Sequence, residues 1–146
     1  MSNTGVKFRQ LDWSNSSEVG FVYKSWLGSY KNHADVTPYS MYRKVYQHYL
    51  DRIMKRDECI VILAVHPEHP DQIFGFACFE RSAPTLHYIY VKEDYRRTGV
   101  GSDLLEYLLS TETGEFAYTF NTSLGRKFLR PRGGKYKPRL VRNELP

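Results

Sequence analysis

The stretch from Tyr88 to Leu109 restricts this chain most. Tyr88-Ile-Tyr-Val91 has the β-branched and aromatic character of a strand. After four intervening residues comes Arg96-Arg-Thr-Gly-Val-Gly101, and Val100, Leu104, Leu105, Leu108 and Leu109 then recur at helical spacing. A strand that feeds a helix through a loop rich in glycine and arginine belongs to an α/β architecture. It is also an anion site in outline, because the first N–H groups of a helix lack intrahelical acceptors and the helix dipole favours negative charge there. Gly99 and Gly101 are expected to let the backbone approach a phosphate and to tolerate unusual φ. Arg96 and Arg97 add attraction for a polyanion. Two familiar phosphate loops are excluded: there is no Gly-x-x-x-x-Gly-Lys-Ser/Thr, and no third glycine with a downstream acid.

The remaining elements fall on either side of this stretch. Lys7 to Leu11 reads as a short strand. Asn15, with Glu18 three residues on, resembles a capping pair for a helix whose apolar face is Val19, Val22, Tyr23, Trp26 and Tyr30. Thr37-Pro38 caps a second helix, striped by Met41 or Tyr42, Val45, Tyr49 and Ile53. Cys59 to Val65 is a continuous apolar run, as expected for a strand covered on both faces. His66-Pro-Glu-His-Pro-Asp71 is turn chemistry, so Ile73 to Phe79 returns as the partner of a hairpin. Ser82-Ala-Pro84 turns again before Leu86 to Val91, Gly114 closes the later helix, and Glu115 to Asn121 reads as a long strand. The predicted order is β-α-α-β-β-β-α-β, a mixed sheet with helices on both faces. Beyond Ser123 the reading is a half-turn of helix at Leu124 to Leu129 and a short strand near Leu140-Val141.

At 146 residues the chain is expected to form one domain, residues 1–146, burying about 70% of its unfolded surface. Nothing approaches a membrane-spanning run, and the first residues lack the apolar core of a signal peptide. Cys59 and Cys78 lie inside apolar runs and are expected to be core thiols on neighbouring strands, which with the missing leader implies a cytoplasmic protein. His66 and His69 sit in a turn without further ligands, so no metal site is assigned. The net charge of +5 is concentrated at one end. Arg126, Lys127, Arg130, Arg132, Lys135, Lys137, Arg139 and Arg142 face no acid within 126–142, and the basic C-terminal segment extends to residue 146. Such a stretch is either a solvated tail or a surface for something anionic.

Val91, four residues, and then Arg96-x-x-Gly99-x-Gly101 opening a helix resembles the acetyl-coenzyme A signature of the GNAT N-acetyltransferases. The resemblance extends to element order from about Lys7 to Phe128 and implies the acyl-coenzyme A N-acyltransferase fold. It further implies acetyl-CoA as co-substrate and a primary amine as acceptor, on a protein, a small molecule or a nucleobase. Backbone N–H groups from Arg97 through Ser102 would hold the pyrophosphate. Ile89, Tyr90 and Val91 would pair with the pantetheine arm, admitted where this strand and Phe116 to Phe120 splay apart. The N–H near Ile89 would stabilise the thioester oxyanion, and Asn121 would touch the arm.

Seven residues past that Asn the family has a proton-donating Tyr; here the position is Phe128. Tyr136 or Tyr118 then supplies the proton, or the thiolate leaves without an acid, since a thiol pKa is about 8.5. Arg132-Gly133-Gly134 also replaces the Gly-Phe that closes the family motif, and the C-terminal hairpin looks short and basic. Glu80 and His87 are the candidate general bases, each with a structural alternative as a solvated pair or a satisfied sheet residue. Two other function classes stay open at this point. One is a nucleic-acid-associated module binding through 126–142, where Phe128 and Tyr136 interleave with the cations. The other is a silent coenzyme-binding or structural protein. The sequence does not specify the oligomeric state.

Overall fold

The computed structural model describes residues 5–29, 48, 50–54, 59–81, 84–109, 116–119 and 127–136. Along the chain run β1 (Lys7–Gln10), α1 (Ser16–Ser29), α2 (helical at 48 and 50–54), β2 (Cys59–Val65), β3 (Ile73–Glu80), β4 (Thr85–Val91), α3 (Val100–Leu109), β5 (Phe116–Tyr118) and β6 (Gly134–Tyr136). The six strands form one mixed sheet in chain order. β1 to β4 are antiparallel neighbours, whereas β4–β5 and β5–β6 are parallel, as crossover connections require.

β2 explains why the sheet is covered on both sides. Val61, Leu63 and Val65 pack towards α1 and α2 with Val22, Trp26, Leu50, Ile53, Phe76 and Tyr88. Ile60, Ile62 and Ala64 face α3 with Leu86, Leu104, Leu105, Phe116, Tyr118 and Leu129. Trp26 lies flat on Tyr88, ring centroids 5.1 Å apart and planes 8° from parallel.

The entry to α1 follows the capping expectation. The Asn15 carboxamide oxygen accepts from the N–H of Ser17 at 3.1 Å and of Glu18 at 3.3 Å. Glu18 does not return a bond to the Asn15 N–H, which goes to the Asp12 carbonyl at 3.0 Å. Its carboxylate takes both Arg9 guanidinium nitrogens, at 3.0 and 2.6 Å, and the Asp12 N–H at 3.2 Å, so it ties α1 to β1. The Arg9 bonds hold the Glu18 carboxyl below its ordinary pKa, against an opposing contribution from burial.

Two expectations need correction. The strand predicted over Glu115 to Asn121 ends at Tyr118, and Thr119 has already left it. Tyr136 lies in a strand that the sequence did not suggest: β6 adds to the outside of β5 in parallel, after a helical turn at 127–129 anchored by the fully buried Leu129. Thr37-Pro38, Gly114, residues 121–126 and Leu140-Val141, with Tyr30, Met41, Tyr42, Val45 and Tyr49, lie outside the described residues.

Candidate functional site

β4 is seven residues long, yet it meets β5 only through Thr85↔Ala117 and Leu86↔Tyr118 among the described residues. On its other side it stays paired with β3 as far as Gly75↔Val91. The Lys92 N–H donates to the Phe74 carbonyl at 2.9 Å. Bonding direction alternates along an antiparallel ladder, so the N–H groups of Ile89 and Val91 turn away from β3, towards the β5 side. Among the described residues, no strand pairs with that edge of β4 beyond Leu86.

That edge runs directly into the arginine–glycine loop. A 3-10 turn at Glu93–Tyr95 bends the chain, and the Thr98 hydroxyl donates to the Tyr95 carbonyl. Arg96 bonds through Nε to the Val91 carbonyl at 2.8 Å, its guanidinium 5.6 Å from the Tyr90 ring centroid, so it braces the loop against the strand. Arg97 sits at φ 66° and Gly99 at φ 99°, both in the left-handed region. Gly99 opens α3, its carbonyl accepting from Asp103 at 2.9 Å. Val100 is buried in the core on the α3 side. The earlier N–H groups of α3 have no intrahelical acceptor by helix geometry and point out of its N-terminus. Gly101 departs from expectation, since it lies inside the helix without a positive φ. A Cβ there would meet the Phe128 ring at 3.5 Å and Val91 at 3.6 Å, ordinary contact distances.

Phe128 thus comes to rest against the start of α3 and the end of β4. Arg132, four residues on, covers it: the guanidinium carbon is 4.1 Å from the ring centroid. Arg132 also donates to the Phe128 carbonyl at 2.8 Å and to the Ser102 hydroxyl at 3.2 Å.

A second polar cluster sits on the α1 side of the sheet. The β3–β4 register shifts between Cys78 and Phe79, which pair with Tyr88 and Leu86, leaving His87 as the extra residue of a bulge. The bulge turns the imidazole inward, 2% exposed, between Nε2 to Glu80 Oε1 and Nδ1 to Thr119 Oγ1, both 3.2 Å. Cys59 lies directly across from Glu80, and its Sγ is 3.1 Å from that of Cys78, both thiols free. Burial pushes the Cys78 thiol well up. Nearby, the Tyr23 hydroxyl donates to Asp51 at 2.6 Å, and burial followed by this carboxylate raises its pKa.

The acetyltransferase (GNAT) domain family matches residues 55–130, which is 76 of the 146 residues. The chain belongs to the GNAT acetyltransferase family. No curated protein matches its sequence. Among solved structures it resembles a candidate acetyl transferase from Pyrococcus furiosus, with TM-score 0.62, 14% identity, and 90% of this chain and 95% of that one covered. It also resembles glucosamine-6-phosphate N-acetyltransferase from Arabidopsis thaliana, with TM-score 0.53, 16% identity, and 90% and 92% covered. A third likeness is to AAC(6')-Iy in complex with the bisubstrate analogue CoA-S-monomethyl-acetylneamine, with TM-score 0.50, 17% identity, and 89% and 90% covered. At these identities the likeness is one of fold.

Within this GNAT fold, Ile89, Tyr90 and Val91 end β4 and Arg96 through Ser102 lead from it into α3, whereas Glu80 and His87 are bonded to each other and buried on the α1 side. Tyr136 is with neither. Its ring lies 5.6 Å from that of Tyr118, which belongs to the core on the α3 side. Asn121 lies outside the described residues. Sequence reasoning missed Thr119 and Arg132. A Thr just past a short strand carries no pattern of its own, and Arg132 was one of eight cations in a stretch that gave no reason to single it out. Among the described residues no group of three or more His, Cys, Asp or Glu could hold a metal ion. No helix there is long and apolar enough to cross a membrane.

Proposed function

We propose that this GNAT protein transfers the acetyl group of acetyl-coenzyme A to a primary amine of a protein, small molecule or nucleobase, acting as one cytoplasmic domain. The observation that carries the reading is that, among the described residues, β4 pairs with β5 only as far as Leu86, and the rest of that strand leads straight to the Arg96–Gly101 loop. A pantetheine arm fits such an edge as an added strand would, along Ile89–Val91. The N–H groups of Arg97 through Ser102 suit a pyrophosphate. The Ile89 N–H suits the oxyanion that forms when the amine attacks the thioester carbon.

An alkylamine is mostly protonated near neutral pH and must lose a proton to attack. Glu80 is assigned to receive it, directly or through water. His87, with both ring nitrogens engaged, is a positioning residue that fixes the carboxylate. The new C–N bond forms as the C–S bond breaks, and the sulfur leaves with the electron pair. Phe128 has no proton to give, so the thiolate leaves as such and takes its proton from water.

Acetyl-CoA at a hundred times its dissociation constant is expected to add about 2.7 kcal/mol of stability. For a domain of this size that raises the melting temperature by roughly 5–10 °C. Thiol release on an amine panel then measures turnover. Gly99→Glu is expected to abolish both, since its side chain and charge would occupy the phosphate cradle. Glu80→Gln should lower kcat with little change in coenzyme affinity. Absence of any melting shift or calorimetric heat with millimolar acetyl-CoA would sink the reading.

A further inference from the structure

The basic segment reads in sequence as either a solvated tail or a surface for something anionic, and Arg132 within it is fixed against the first turn of α3. Its guanidinium is held on three sides, by the Phe128 ring, the Phe128 carbonyl and the Ser102 hydroxyl in the first turn of α3. This is the wrong end of a helix for a cation, because the dipole is positive there. No carboxylate among the described residues relieves it: Asp103, the acid of that turn, is buried, and the contacts of Arg132 go to Ser102 and Phe128 instead. A guanidinium carries five N–H donors, and two serve these bonds. The remainder are available beside the outward N–H groups of α3, on a side chain that is exposed and already fixed by stacking. A cation fixed against like-signed charge is favourable when an anion sits between them.

We propose that Arg132 is a side-chain clamp for the pyrophosphate of the coenzyme, completing from the C-terminal segment the cradle that Arg97 to Ser102 begin. The inference rests on the acetyl-coenzyme A reading above. Phe128 then has a role that a tyrosine donor would not explain: its ring is the platform that holds the guanidinium over the loop.

Calorimetric titration with coenzyme A and with dephospho-coenzyme A tests this on the wild type, Arg132→Met, Arg132→Lys and, as a control in the same segment, Arg130→Gln. A charge-assisted, partly desolvated contact predicts about tenfold to a hundredfold weaker binding of both ligands by Arg132→Met. Arg132→Lys should recover part of the loss, and Arg130→Gln should stay within about twofold of wild type. Acetyl-pantetheine, which lacks the pyrophosphate, should be turned over equally by wild type and Arg132→Met. Equal coenzyme affinity in wild type and Arg132→Met overturns the clamp while leaving the acetyl-transfer reading intact. An equal loss with acetyl-pantetheine also overturns it, because the role would then be structural. A loss seen with coenzyme A but not with dephospho-coenzyme A moves the contact to the 3′-phosphate and overturns the pyrophosphate assignment. Failure of the wild type to bind coenzyme A at all removes the underlying reading as well.

Discussion

Gly99 and Gly101 look equivalent in the sequence, and the structure separates them. Gly99 holds φ 99°, a conformation in which a Cβ is strained, whereas Gly101 is helical and has ordinary contact distances around its missing Cβ. Gly99→Ala should therefore destabilise the fold by about 1–2 kcal/mol. Gly101→Ala should be neutral or stabilising by up to about 1 kcal/mol, because alanine is the better helix former. Urea denaturation of both variants checks the contrast, and a similar cost at the two positions would contradict it. Arg97 at φ 66° is the same matter in reverse. A residue with a side chain stands where glycine is cheaper, which fits the anion-binding role proposed for this loop.

Between elements, the first coupling is a single ion pair. Glu18, in the first turn of α1, grips Arg9 of β1, and it is 7% exposed. Its pKa is lowered in the folded protein, so the stability it contributes is complete above its ordinary value of 4.5 and is lost as pH falls through the lowered one. Glu18→Gln should cost on the order of 1–3 kcal/mol near pH 7 and flatten the acid side of the stability profile. Unfolding midpoints from pH 7 down to pH 3 measure this, and parallel profiles for the two proteins would count against it. The β3–β4 contact is governed by sterics instead. A Cβ on Gly75 would lie 2.4 Å from the Tyr90 carbonyl oxygen, so Gly75→Ala must push the two strands apart. Since Tyr90 lies in the stretch proposed to receive the coenzyme, this variant should lower both stability and coenzyme affinity. Unchanged affinity would show that β4 is positioned by its other neighbours.

At the scale of the whole molecule, the sheet separates two cores and the proposed chemistry lies between them. Trp26 on Tyr88 joins the α1 layer to β4, so Trp26→Ala should cost about 3–5 kcal/mol and lower the unfolding midpoint for both layers together. Independent melting of the α1 layer would contradict that coupling. Local pattern was sufficient for much of this architecture. The two-faced run of β2, the hairpin turn, the Asn15 cap and the strand–loop–helix of β4 and α3 are set by side-chain periodicity and backbone chemistry within a few residues of each other, and each is legible in the chain. Where β5 ends, that β6 joins it in parallel, that a bulge turns His87 towards Glu80 and Thr119, and that Arg132 reaches Ser102 thirty positions earlier were decided only by tertiary structure. Each depends on register and packing between segments distant in sequence, which no local preference encodes.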